Sequence, residues 1–280
     1  MEWRELAIQG GQVARTAAGW RLVLPALPQG SQGSQGSQGS HGSHGSHGSH
    51  GSQGYADAQL DDYGGRRRQA YRHRPGTHFS LQARFSHPAG VLQGTAGFGF
   101  WNAPFGDPTV PWPALPQAAW FFYASAPADL PLALDGPGRG WFAATLDATT
   151  PRALAWAPFA PLVLLLNQWP PLRRRLWPLV RRSLGISFEP LPHDLTAWHT
   201  YELDWHPAGC FFRVDGRPVL QTPFSPRGPL GFVAWVDNQY LITTPAGRFG
   251  WGTLPTGRVQ WLELANLQVS PRRRANGRNG

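Results

Sequence analysis

The chain has 280 residues, 41% of them hydrophobic, which is enough to bury a sizeable core, and a β-sandwich of about 200–250 residues is ordinarily one domain. Its 34 Gly and 28 Pro argue against long helices, while 14 Trp, 15 Phe and 6 Tyr suit strands, so the expected class is all-β. The formal net charge of +9 rests on arginine alone, yet no zinc-finger spacing, recognition helix or aromatic RNA-binding signature accompanies the basic runs, and nucleic acid is excluded as the expected partner.

In chain order, the N-terminal MEWRELAIQGGQVAR sets Glu2, Glu5 and Gln9 where a secretory signal needs an unbroken apolar run, so a cytoplasmic protein is the default expectation. GWRLVLPALP and YADAQLDDY read as extended segments flanking a Gly-Ser-Gln and Gly-Ser-His repeat over 30–54. That tract has nothing apolar to bury and is expected to be a disordered loop expansion; His41, His44, His47 and His50 in it have no fixed metal-binding geometry. No metal or other cofactor is expected anywhere in the chain.

Beyond the tract, FSLQARFS alternates Phe79, Leu81, Ala83 and Phe85 against Ser80, Gln82, Arg84 and Ser86, the pattern of a half-buried strand. Further strands are predicted at 94–102, 118–125, 140–147, 198–205, 210–216, 217–222, 230–240 and 259–270. Asp215-Gly216 between two of them predicts a tight hairpin. Many short strands without alternating helices imply packed antiparallel sheets. Cys210, the single cysteine, reads as strand filler.

Residues 153–184 break the pattern. Five prolines interrupt them, and the apolar run is too short for a bilayer span of about 20 residues. After Pro170-Pro171, Leu172, Leu176, Leu179, Val180 and Leu184 share one side of a helix and Arg174, Arg175, Arg181 and Arg182 the other, with a kink expected at Pro178. A basic amphipathic insertion follows, either capping the cleft of the sandwich or meeting an anionic membrane through Arg173, Arg174, Arg175, Arg181 and Arg182, with capping preferred. The sandwich is expected to occupy 1–270 as one domain and to leave 271–280 as a basic disordered tail.

From residue 194, DLTAWHTYELDWHPAGCFFRVDGRPVLQT resembles the stretch of family-16 glycoside hydrolases in which an aromatic followed by His-Thr-Tyr opens a strand and a Val-Asp-Gly hairpin follows. GFGFWNAPF with VPWPALP upstream, and WLELANLQVS near the end, are similar to that family in character. The resemblance spans about residues 12–29 and 55–270, leaving out the low-complexity tract and the basic insertion, and implies a concanavalin A-like antiparallel β-sandwich, a jelly roll. That family sets its catalytic pair on one strand as Glu-x-Asp-x-x-Glu or Glu-x-Asp-x-Glu, whereas the corresponding strand here, residues 116–123, contains no acid.

The implied function is therefore a non-catalytic carbohydrate-binding or lectin-like module. A hydrolase of β-glucan with relocated carboxylates, drawn from Asp107, Asp129, Asp204 and Asp237, and a structural or membrane-peripheral interaction protein are the alternatives. Candidate glycan contacts are Trp101, Asn102, Trp112, Trp120, Tyr123, Trp235, Asp237, Asn238, Gln239 and Tyr240, since aromatic faces and a few polar groups suffice to hold a sugar.

Overall fold

The computed structural model describes residues 2–27, 54–105, 112–134 and 136–271. The repeat tract, its four histidines and most of the basic C-terminal tail lie outside the described residues.

Strands β1 (Arg4–Ile8), β2 (Gln12–Arg15), β3 (Gly19–Leu24) and β4 (Asp57–Asp61) lead into β5 (Thr77–Phe85), β6 (Thr95–Trp101), β7 (Gln117–Ala124) and β8 (Gly140–Asp147). Three helices follow, α1 (Pro151–Trp156), α2 (Ala160–Leu166) and α3 (Pro170–Ser183). The chain then returns to strands with β9 (Ser187–Pro190), β10 (His199–His206), β11 (Gly209–Val214) and β12 (Arg217–Thr222). It closes with β13 (Gly231–Asp237), β14 (Gln239–Thr243), β15 (Phe249–Thr253) and β16 (Gln260–Pro271).

Two seven-stranded antiparallel sheets result, one ordered β1-β4-β13-β6-β7-β8-β9 and the other β12-β11-β10-β5-β16-β3-β2, with β14 and β15 as a separate hairpin. The all-β sandwich with a helical insertion is thus the observed architecture. The core between the sheets is filled by alternating residues of both: Phe98, Phe100, Phe121 and Phe232 from the first sheet meet Phe79, Tyr201, Trp205 and Phe212 from the second. Their rings pack edge to face or tilted, as between Phe79 and Phe98 or Phe121 and Phe212, the arrangement that ring quadrupoles favour.

Local chemistry fixes the register. The predicted alternation in β5 holds, with Phe79, Leu81, Ala83 and Phe85 buried. Asp215 (φ 50°) and Gly216 (φ 73°) both take the left-handed region that a two-residue hairpin requires, and the Asp215 carboxylate accepts from the Thr200 amide at 2.8 Å. The segment read as one strand over 230–240 is two, because the chain breaks at Asn238 and β14 leaves the sheet to pair with β15.

The insertion begins where Thr150 caps α1 by accepting from the Ala153 amide at 3.0 Å, with Pro151 in the first turn. Pro170 and Pro171 open α3, as their fixed φ allows, and Pro178 sits inside it. The expected apolar side of α3 needs one correction: Trp177 and Val180 are buried, whereas Leu179 is exposed.

Candidate functional site

The first sheet has a second apolar face, directed away from the core. On it Trp101, Trp120, Phe122, Phe142 and Trp235 form a cluster of their own. The sequence of β6 explains how three indoles share so small an area. Gly97 and Gly99 alternate with Phe98 and Phe100, so the phenylalanines fill the core and the glycines leave the outer face bare. A Cβ on Gly97 would stand 2.9 Å from the Trp235 ring and 2.3 Å from the Phe121 carbonyl, and one on Gly99 would stand 2.7 Å from the Trp120 Cβ. The glycine pair is therefore a bed for tryptophans.

Trp101 and Trp235 lie parallel, 4° between planes and 6.1 Å between centroids, and Trp120 tilts against both. Trp101 Nε1 donates to the Tyr63 hydroxyl at 2.9 Å, and Trp235 Nε1 donates to Thr95 Oγ1 at 2.9 Å. Trp120 Nε1 is buried and has no hydrogen-bond partner among the described residues.

These rings border a cavity of about 290 Å³ whose polar lining is Asp57, Gln59, Thr95, Asp237 and Gln239, with Tyr55, Phe105 and Tyr240 among its aromatic walls. That volume falls just under the range of about 300–1,000 Å³ usual for ligand pockets. Asp237 Oδ1 accepts from the Thr95 amide, the Thr95 hydroxyl and the Gln239 amide at 3.2, 2.8 and 3.0 Å. Despite these bonds, burial outweighs them and pushes its pKa up to about 7, so the carboxyl holds its proton into the neutral range.

No family model matches the chain, and no curated protein matches it. Among solved structures, a glycoside hydrolase family protein of Mycobacterium thermorestibile is 14% identical, aligning 96% of this chain with 92% of that one at TM-score 0.40. The β-glucanase of Bacillus licheniformis is 10% identical over 95% of this chain and 89% of its own, at TM-score 0.41. A carbohydrate-binding module of Bacillus subtilis is 8% identical over 95% and 94%, at TM-score 0.38. These are likenesses, and they assign no activity to the chain.

The ten candidate residues divide. Trp101, Trp235, Asp237, Gln239 and Tyr240 line the cavity, and Trp120 packs against Trp101 and Trp235 in the same cluster. Tyr123 is a correction: it is three residues from Trp120 on a period-two strand, so it faces the core, where its hydroxyl donates to the Leu92 carbonyl at 2.9 Å and accepts from the Gly90 amide at 3.0 Å. Asn102 and Asn238 are corrected to structural roles. The buried Asn102 amide donates to the Leu115 carbonyl and accepts from the Gln117 amide, closing the loop between β6 and β7. Asn238 accepts from the Ala56 amide at 2.9 Å and donates to the Gly54 and Leu254 carbonyls at 2.6 and 3.0 Å. Trp112 is exposed on the loop before β7 and is not part of the cavity wall.

Sequence reasoning missed Asp57 and Gln59. Both line the cavity, and Asp57 pairs with Asp237 in the register of β4 and β13. The signal was present in YADAQLDDY, where Asp57, Gln59 and Asp61 alternate with Ala58 and Leu60. At β7 the outward positions are Ala118, Trp120, Phe122 and Ala124, so aromatic and small apolar groups occupy the strand that the resemblance assigns to catalysis.

The insertion is not a lid on this cavity, because none of its residues is in the wall. It packs beside it: Asn167 Nδ2 donates to the Pro245 carbonyl at 3.0 Å and Gln168 Nε2 donates to the Ala246 carbonyl, fastening the α2–α3 elbow to the turn between β14 and β15. Arg173 and Arg174 border a neighbouring cavity of about 540 Å³ with Arg248 and Asp129. Arg175 and Arg182 are exposed, whereas Arg181 is partly buried and its guanidinium is lowered from its ordinary value by desolvation. Among the described residues no group of three or more His, Cys, Asp or Glu converges on a metal position, and no helix is long and apolar enough to cross a membrane.

Proposed function

We propose that the chain is a carbohydrate-binding module and that the cavity on the outer face of the first sheet is its sugar site. The observation that carries this reading is the parallel Trp101–Trp235 pair standing beside Gln59, Thr95 and Asp237 in one concave wall. Pyranose rings present apolar C–H faces and equatorial hydroxyls, and a wall that offers indole surface next to a few fixed polar groups complements both.

A second reading, hydrolysis, is favoured by one observation. Asp57 and Asp237 are paired across adjacent antiparallel strands, and burial lets Asp237 retain its proton toward neutrality. A carboxyl that holds its proton and can give it to a leaving oxygen, beside a second carboxyl on the neighbouring strand, is the kind of pair that retaining glycosidases use. The test is a panel of β-glucan oligosaccharides offered to the purified protein, with calorimetry and reducing-sugar release read on the same samples. Binding without release supports the module. Release that is lost in both Asp57→Asn and Asp237→Asn makes it a hydrolase, and neither binding nor release removes the saccharide reading.

A further inference from the structure

The insertion presents its apolar side chains outward. Leu162, Leu165 and Trp169 are 51%, 67% and 61% exposed, and Phe159, Leu154 and Leu179 are exposed with them. From Ala153 to Leu172 there is no charged residue, and the only polar side chains are Asn167 and Gln168, both spent on the hairpin turn. The hairpin continues the character, since Phe249 and Trp251 are 72% and 63% exposed. A water-facing patch of this composition is unusual on a chain that works free in solution and marks a contact surface.

The charge around the patch selects the partner. Between Ala148 and Phe188 the chain has six arginines, Arg152, Arg173, Arg174, Arg175, Arg181 and Arg182, and no acid. Of the cluster on α3, Arg174, Arg175 and Arg182 are exposed. We propose that the insertion docks on an anionic lipid bilayer, its leucines and Trp169 entering the headgroup–acyl boundary and its arginines meeting the lipid phosphates. Short proline-broken helices fit a depth of about 5–10 Å, and tryptophan suits that boundary because its ring is apolar and its N–H is a donor. A bilayer accepts exposed leucines without shape complementarity, which a protein partner would demand. Peripheral attachment is the mode, since no helix among the described residues is long and apolar enough to cross.

The experiment is flotation of the full chain with phosphatidylcholine vesicles, alone and mixed with phosphatidylserine, at low and high salt. The wild type floats with the mixed vesicles, less at high salt. Leu162→Asp with Leu165→Asp abolishes flotation, and because both side chains are exposed the variant keeps the wild-type melting temperature. Changing Arg173, Arg174 and Arg175 to Gln weakens binding by about a hundredfold, from the gain per basic residue near an anionic surface. The proposal is overturned by absence of flotation with either vesicle, by leucine variants that float like the wild type, or by self-association in vesicle-free buffer that the leucine pair abolishes, since a second copy of the chain would then cover the face.

Discussion

Asp237 shows most plainly how environment decides what a residue can do. Its carboxyl accepts three hydrogen bonds and is nevertheless raised from 3.8 to about 7, because it is buried among Trp235, Phe122 and the strand backbones, and the lost hydration outweighs the bonds. The consequence for stability has a definite sign. Below about pH 4 the carboxyl is protonated folded or unfolded; between about 4 and 7 the folded chain binds the extra proton, so folding weakens as pH rises, and above about 7 the loss is complete. Asp237→Asn lacks this titration while keeping an oxygen for the Thr95 and Gln239 donors. Urea melts should therefore show the variant gaining roughly 2–4 kcal/mol on the wild type between pH 4 and pH 8. A difference independent of pH would place the carboxyl in water. In the sequence Asp237 is a site candidate through the topology that the resemblance implies, whereas Asp57 is visible only through strand register, which pairs positions 180 residues apart.

At the level of elements, the sequence was clearest where one face is wet and the other dry. β5 and β10 to β12 followed directly from alternation and from Asp215-Gly216. In the first sheet β6, β7, β8 and β13 are buried on both faces, and their near-continuous apolar runs reveal a strand but not which residues face the cavity, so Tyr123 was assigned to the wrong side. Short edge strands such as β1, β2 and β9 leave too little pattern to see. Asn238 illustrates the same limit, for a polar residue after a strand reads equally as a ligand contact or a joint. Here it is a joint, tying the start of β4 and the end of β15 to the β13–β14 corner through three hydrogen bonds. Asn238→Ala is expected to cost about 2–4 kcal/mol, read as a lower urea midpoint, because it leaves buried backbone groups unpaired. An unchanged midpoint accompanied by lost sugar binding would return Asn238 to the ligand site.

For the whole molecule, two sheets close one core, and the outer face of the first sheet is left with an aromatic cluster that the core does not use. Arginine-rich helices stand beside this face, fastened to the β14–β15 turn, so a sugar site and a lipid-facing surface would lie on adjoining parts of one sandwich. The helical character of the insertion could be read from its 3.6-residue spacing, but its outward-facing leucines could not, because amphipathicity says which side chains travel together and not which face finds a neighbour. The sugar site is the central claim, and tryptophan emission tests it most directly. The wild type titrated with a β-glucan oligosaccharide should give a saturable change, and Trp101→Ala, which removes the more accessible member of the parallel pair, should weaken the affinity by at least about tenfold while leaving the fold intact. Affinity equal to that of the wild type in Trp101→Ala would contradict the assignment of the cavity as the site.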